Sequence, residues 1–284
     1  MPHLTAPSNL KWHYEIEGED NADGVADGNA VGVAKAAPIL FLHGWGVDSR
    51  IWRQQLKHFS QFYKVIAMDL PGHGKSDWQK ISLAEMANDV VDIVGQLGFK
   101  EFGIVGSSMG GLVALKIVSG HAEKIKCLVL VGTHFKFSKS DDYPYGLDVE
   151  QIRNLASQVQ TSYPSVVHIF FRSLFTKHER STRRFKWIQT FRNSISMPQK
   201  EALLEMLDIL EKEDLRPSLP AVNVPLQYIN GTEDYIFPKE TFLYLRDKAP
   251  QAQFEWFEEC GHFPFLSKPH EFNEALGRFL KTCF

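Results

Sequence analysis

The sequence predicts an α/β protein with a mostly parallel central sheet, flanking helices and a helical segment inserted late in the chain. Three observations predict it. Short apolar runs of strand length alternate with longer amphipathic stretches from Pro38 to Val131. The alternation breaks between His134 and Glu213, where helical patterns rich in aromatic residues replace strands, and it resumes from Val224 to the end. Strands separated by helices are joined by right-handed crossovers, so their carboxyl ends open on one edge, and loops at that edge share one site. The expected division is a first core part over 1–133, a helical lid over 134–213 and a second core part over 214–284.

Whole-chain properties bound the reading. With 284 residues the chain can bury a sizeable core. A net charge of -3 gives no global attraction to nucleic acid or to a membrane, so any charged partner has to be recognised locally. Cys127, Cys260 and Cys283 are too few and too scattered for a disulfide framework or a zinc site, which suits a reducing compartment. Met1 to Leu10 has neither a basic leader nor an apolar core, and no run is long and apolar enough to span a bilayer. The expectation is a cytoplasmic monomer without cofactor, metal, nucleic-acid or membrane partner.

Taken in order, Leu10 to Glu17 alternates as an edge strand would, and Gly18 to Ala36, built of small and acidic residues, reads as a mobile surface loop. Pro38 to Leu42 is a buried strand running into His43-Gly44-Trp45-Gly46. Arg50 to Phe59 is amphipathic, and Lys64 to Asp69 is another buried strand. The loop Asp69 to Ser76 ends like a P-loop, but Asp69 stands where that motif needs its first glycine and Pro71 spoils the phosphate cradle. Gly44-Trp45-Gly46 likewise lacks the third glycine of a dinucleotide fingerprint, having Ser49 there. Ser82 and Glu85 form a capping box before a helix whose apolar residues run from Leu83 to Leu97, with Gly98 as its stop.

Phe102 to Val105 is then a short buried strand, followed by Gly106-Ser107-Ser108-Met109-Gly110-Gly111 and a helical pattern from Leu112 to Val118. A G-x-S-x-G turn between strand and helix holds its serine in a strained pose with the hydroxyl exposed at the sheet edge, which makes Ser108 the candidate nucleophile. A serine hydroxyl needs an imidazole to take its proton, and the imidazole needs a carboxylate to fix its tautomer. Among eleven histidines, His262 alone sits in a Gly-flanked loop after the last expected strand, Gln253 to Glu258. Asp234 closes the turn after the strand Val224 to Asn230; Glu233 is the runner-up. Two backbone N–H groups are required for the oxyanion, and Met109 and Trp45 would supply them. His43 reads as a structural hydrogen-bonding residue. No helical H-E-x-x-H or cysteine cluster suggests a metal.

The inserted segment is basic. From Arg153 to Lys200 the cations include Arg172, Lys177, Arg180, Arg183, Arg184, Lys186 and Arg192, opposed only by Glu179. Its aromatics, Phe170 and Phe171 among them, are suited to lining an acyl-sized slot. Such a face is either a solvated helical surface or a site for an anionic partner, and the residues alone leave both open.

The His43 to Gly46 loop, the Asp69 to Gly74 loop, the Gly106 to Gly111 motif, the Gly231 to Asp234 turn and Gly261-His262 together resemble the α/β-hydrolase superfamily. The resemblance covers the whole core and implies the α/β-hydrolase fold with a helical lid. Within it the chain is similar to the pimeloyl-acyl carrier protein methyl ester esterases of biotin synthesis, through Phe41 to Val47, Trp52, Ser82 to Ala87, and Asp214-Leu215-Arg216 leading into Val224-Pro225. That resemblance implies a demethylating serine carboxylesterase with Phe170, Phe171 and Leu174 lining an acyl channel alongside Trp45, Ser108, Met109 and His262. It also implies an acidic acyl carrier protein as partner. The arginines that hold the carrier in such enzymes align with Ser165 and Ile169, so the carrier would fall to Arg172, Arg180, Arg183, Arg184 and Lys186. Other reactions on the same scaffold remain open, among them general ester hydrolysis, carbon–carbon bond hydrolysis and a cofactor-synthesis lyase step, as does a non-catalytic ligand-binding role.

Overall fold

The computed structural model describes residues 2–19 and 36–284; positions 20–35, most of the expected mobile loop, lie outside the described residues. Among the described residues eight strands form one sheet: β1 (His3–Thr5), β2 (Lys11–Glu17), β3 (Ile39–Leu42), β4 (Val65–Met68), β5 (Phe102–Ser107), β6 (Ile125–Val131), β7 (Leu226–Gly231) and β8 (Gln253–Phe257). Their order is β1-β2-β4-β3-β5-β6-β7-β8. The strands from β4 to β8 are mutually parallel, while β1 and β2 run antiparallel to their neighbours. β3 to β7 are short and apolar because both faces are covered, as parallel strands require.

One expectation is corrected. Lys11–Glu17 is not the sheet edge, because His3–Thr5 pairs outside it, with Leu4 opposite Trp12. Trp12 is fully buried and needs that cover, but a three-residue strand is too short to announce itself by alternation.

From β3 the chain crosses to β4 on one side and then to β5 on the other, so the topological switch lies between β3 and β5. A crevice outside the carboxyl ends opens there. The loop after β3 and the turn after β5 both end at it.

Helices α1 (Arg53–Phe59), α2 (Leu83–Gln96) and α3 (Met109–His121) belong to the first part of the core. In α2 the capping box forms as expected: Glu85 N donates to Ser82 Oγ at 3.2 Å and Ser82 N to Glu85 Oε2 at 2.8 Å. Between β6 and β7 come α4 (Val149–Ser162), α5 (Ser165–Ser173), α6 (Lys177–Ser181), α7 (Arg183–Ser194) and α8 (Lys200–Lys212). After β7 follow α9 (Lys239–Lys248), α10 (Pro264–Ser267) and α11 (Pro269–Leu280). The inserted helices are fastened to the carboxyl-edge loops: Trp45 Nε1 donates to Leu203 O at 2.9 Å, and His262 N donates to Leu174 O at 2.9 Å. Among the described residues, no helix is long and apolar enough to cross a membrane.

Candidate active site

Ser108 sits between β5 and α3 with φ 52° and ψ -119°, a conformation that costs a non-glycine residue of order 1–3 kcal/mol. Its surroundings over-determine it. Ser108 N donates to Val131 O at 2.9 Å, and Thr133 Oγ1 donates to Ser108 O at 3.0 Å. The flanking glycines are required by close approach: a methyl group on Gly106 would come within 2.6 Å of Gly111 Cα, and one on Gly110 would collide with the carbonyls of Leu42 and His43. The strained pose lifts the serine out of line, so it keeps 9% exposure while Ser107 and Met109 on either side are fully buried.

His262 and Asp234 come from the loops after β8 and β7. His262 Nδ1 lies 2.7 Å from Asp234 Oδ2, and the other carboxylate oxygen accepts from Ile236 N at 2.9 Å and Phe237 N at 3.3 Å. A carboxylate aimed at Nδ1 selects the tautomer protonated there and leaves Nε2 with a free lone pair. Neighbouring His134 is pushed down to about 3 by burial, so it stays neutral beside this pair.

The loop after β3 reaches the serine from the other side. A methyl group on Gly44 would stand 3.1 Å from Ser108 Cβ. Three anchors hold this loop: Gly46 N donates to His73 Nε2 at 3.3 Å, Arg192 Nη2 of α7 donates to Gly46 O at 3.0 Å, and the Trp45 indole is bound to α8. Below it, His43 accepts from Leu70 N at 2.9 Å and donates from Nδ1 to Gly44 O at 2.8 Å, a structural role as expected. Asp69 takes His13 Nδ1 at 2.8 Å and the amides of Ser49 and Lys75 at 2.8 and 2.9 Å, and these contacts hold its carboxyl well below the usual range despite burial. The loop that imitates a P-loop therefore serves as a brace. Met109 is the first residue of α3, where a backbone N–H has no acceptor within the helix and the dipole favours negative charge.

Ser108, His262, Gly44, Trp45, Phe170 and Leu174 share one cavity of about 320 Å³. Its walls are mostly apolar, with Phe137, Leu207, Leu210 and Phe263 among them, and they include Tyr235 and the exposed amides Gln151, Asn154 and Gln158 of α4. Phe171 does not line it. On α5, Phe170 and Leu174 share a face, whereas Phe171 is turned about 100° away and packs on Phe175 and Phe263 with ring centroids 5.3 and 5.6 Å distant. The Met109 side chain is likewise buried away from the cavity.

The basic residues divide. Arg172 and Lys186 are exposed and line a second groove of about 580 Å³ between α5 and α7, together with His168, Gln189 and Asn193 and with buried Arg192. Arg180 and Arg184 are used internally. Arg180 Nη1 donates to Phe175 O at 2.6 Å; Arg184 donates to Leu266 O at 2.7 Å and Gln54 Oε1 at 2.6 Å and lies over the Trp187 ring. Arg183 is exposed but outside the groove. Glu179, the lone acid of the basic stretch, is buried against the loop that carries His262. Sequence reasoning assigned no role to Glu179, Arg192 or His73. A capping-box acid alone among cations was a visible signal for the first; nothing local marked the other two. Among the described residues, no group of three or more His, Cys, Asp or Glu side chains is gathered as metal ligands would be.

A family model described as the alpha/beta hydrolase fold matches residues 37–269. Pimeloyl-acyl carrier protein methyl ester esterase of Photorhabdus laumondii is 30% identical over 244 residues, covering 85% of this chain and 91% of that protein. The esterase of the same name from Nitrosomonas europaea is 29% identical over 82% of this chain and 92% of its own length. Of solved structures, an esterase from Exiguobacterium antarcticum superposes with a TM-score of 0.84 at 25% identity, covering 98% of each chain. The enol-lactonase of Burkholderia xenovorans has the same TM-score at 21% identity, over 99% of this chain and all of that one, a likeness of fold. The chain therefore belongs to the α/β hydrolase fold family and is a carboxylic ester hydrolase.

Proposed function

We propose that the protein is a serine carboxylesterase that removes the methyl ester from a carrier-bound acyl chain, the pimeloyl-acyl carrier protein methyl ester of biotin synthesis. Ser108 Oγ attacks the ester carbonyl while His262 Nε2 takes its proton, and the negative oxygen is received by the N–H groups of Trp45 and Met109. Asp234 keeps His262 in the required tautomer and stabilises the imidazolium. Collapse expels methanol, protonated by His262. Water, activated by the same imidazole, then splits the acyl-enzyme and returns the free carboxyl and Ser108.

The observation that carries the reading is the arrangement around α5. One face of this helix, Phe170 and Leu174, walls the apolar cavity at Ser108; the other, His168 and Arg172, lines the basic groove. An aliphatic chain fits the first. The uncharged amides of α4 suit an amide-bearing arm leaving the cavity, and the groove suits an acidic carrier beside the mouth. The two curated relatives bear the name of this activity.

The deciding assay compares the carrier-bound pimeloyl methyl ester with a free methyl pimelate ester. We expect kcat/KM to favour the bound ester by about tenfold or more, as remote binding energy predicts. Equal or inverse preference would leave a general carboxylesterase acting on free esters.

A further inference from the structure

We infer that Glu179, on the inserted helices, is a positioning residue for His262, so that part of the imidazole's placement is set from outside the core. The inference rests on the reading of His262 as the general base. The Glu179 side chain is buried, with 6% exposure for the residue, at the third position of α6. One oxygen, Oε2, accepts from Thr176 N at 2.6 Å and from Gly261 N at 3.1 Å, and the other lies 3.3 Å from Cys260 Sγ. Gly261 is the residue before His262. The next backbone amide, that of His262 itself, donates to Leu174 O at 2.9 Å.

Two consecutive amides of the histidine loop are thus held by the segment from Leu174 to Glu179. The approach is close enough that a methyl group on Gly261 would collide with Leu174 O. Burying a carboxylate is costly unless donors compensate it, and two backbone amides and a thiol do so here. Burial, with the Glu179 carboxylate next in effect, pushes the Cys260 thiol up, so it stays protonated and able to donate. Capping alone would explain the bond to Thr176, as in any T-x-x-E turn. It does not explain why the same oxygen takes the amide beside the histidine. Leu174, whose carbonyl holds His262, also lines the cavity, so the wall that meets the substrate and the clamp on the base are one piece of chain.

The test replaces Glu179 in the full chain and follows a small free ester, so that carrier recognition does not enter. Glu179→Met keeps the length of the side chain and removes the acceptors. We expect kcat to fall about 10²-fold, the loss that a misplacement near 1 Å produces, with KM changed less than about twofold, and the downfield proton resonance of His262 Nδ1–H to shift or broaden. Glu179→Gln should restore kcat to within about threefold, because both amides share one oxygen, which a carboxamide carbonyl replaces, and its NH2 then faces sulfur. Should the Met variant not fold, Glu179→Asp carries the same test: it retains the charge and the Thr176 Oγ1 cap on its own backbone N–H but falls about 1.5 Å short of Gly261 N. A folded Met or Asp variant with kcat within threefold of the parent, or a Gln variant as impaired as Met, would overturn the inference. His262→Gln is run beside them; if it stays active, the assignment of the base has failed, whatever Glu179 does.

Discussion

The two halves of the site are built on different physics. At the edge of β3 and β5 the geometry follows from backbone constraints that leave little choice: glycines where a methyl would collide, a serine at positive φ, and a braced loop fixed by buried hydrogen bonds. Across the cavity, α4 to α8 contribute side chains on helical faces, where a rotation of one residue decides whether a group meets substrate, core or solvent. The first kind of construction fixes chemistry. The second can vary its substrate without disturbing that chemistry.

The largest effect belongs to Ser108, in the core half. Ser108→Ala removes one oxygen from the core half and should lower ester turnover about 10⁴-fold or more, with no loss of thermal stability, since no buried partner is orphaned. Activity with p-nitrophenyl acetate and a melting curve on the same sample check it. A variant that retains a tenth of the parent's turnover would remove Ser108 from the mechanism.

Next in size is the acid response of the buried histidines around the site, His73 in the brace and His134 beside the Asp234–His262 pair. Burial pushes His73 and His134 down to about 3 from an ordinary value of 6.5, and His43 also downward. A base whose folded pKa is lowered binds its proton in the unfolded chain first, so its contribution is complete above 6.5 and is lost as pH falls from 6.5 towards 3. At pH 5 each of the two loses roughly 2 kcal/mol, about 4 kcal/mol together. Asp69 acts only below 3.8, its ordinary value, where a depressed carboxylate begins to be protonated in the unfolded chain. The melting temperature should therefore drop by about 10 °C between pH 7 and pH 5, and His73→Asn should flatten that slope. A melting temperature level across this range would show that the buried histidines titrate normally.

A smaller effect is expected at Arg192, where the halves join. Its Nε and Nη1 find no acceptor among the described residues, while Nη2 holds Gly46 O next to the expected oxyanion donor Trp45. Removing a buried charge that has no carboxylate partner relieves its desolvation cost, which exceeds the roughly 1–3 kcal/mol of leaving Gly46 O without this donor. Arg192→Met should thus hold or raise the melting temperature and yet lower kcat about tenfold by loosening the loop. Parallel losses of stability and kcat would make Arg192 a structural residue only.

These contrasts explain what was legible in the sequence. Ser108, Asp234 and His262 stand at turns whose chemistry is local: Gly106 to Gly111 has to be a strand-to-helix turn, and Gly231 and Gly261 mark loops at strand ends. The strand and helix alternation gave the fold because buried parallel strands are nearly uniform in character. The facing of the inserted helices was not legible. Phe170 and Phe171 are adjacent and chemically alike, and only the packing of α5 decides that the first meets the cavity while the second packs on Phe175. Arg180 and Arg184 look like surface cations, but their donors are used by the backbone carbonyls Phe175 O and Leu266 O, partners that no side-chain pattern announces. β1 was missed for a different reason, being three residues long.

The smallest predicted effect belongs wholly to the inserted half. Arg172 and Lys186 line the α5–α7 groove on exposed positions, and among the described residues no carboxylate lines it with them. If an acidic carrier docks there, the double reversal Arg172→Glu with Lys186→Glu should reduce kcat/KM for the carrier-bound ester about tenfold at low salt, with the difference shrinking as ionic strength rises, because rim charges act chiefly on association. The free ester should move by less than about twofold, since neither residue reaches the cavity at Ser108. The double reversal Lys177→Glu with Arg183→Glu serves as the comparison: both residues are exposed and of the same charge but outside the groove, so a merely electrostatic field would be weakened equally by either change. Equal losses from both sites would assign the effect to net charge, and only a larger loss at Arg172 and Lys186 locates the carrier in the groove.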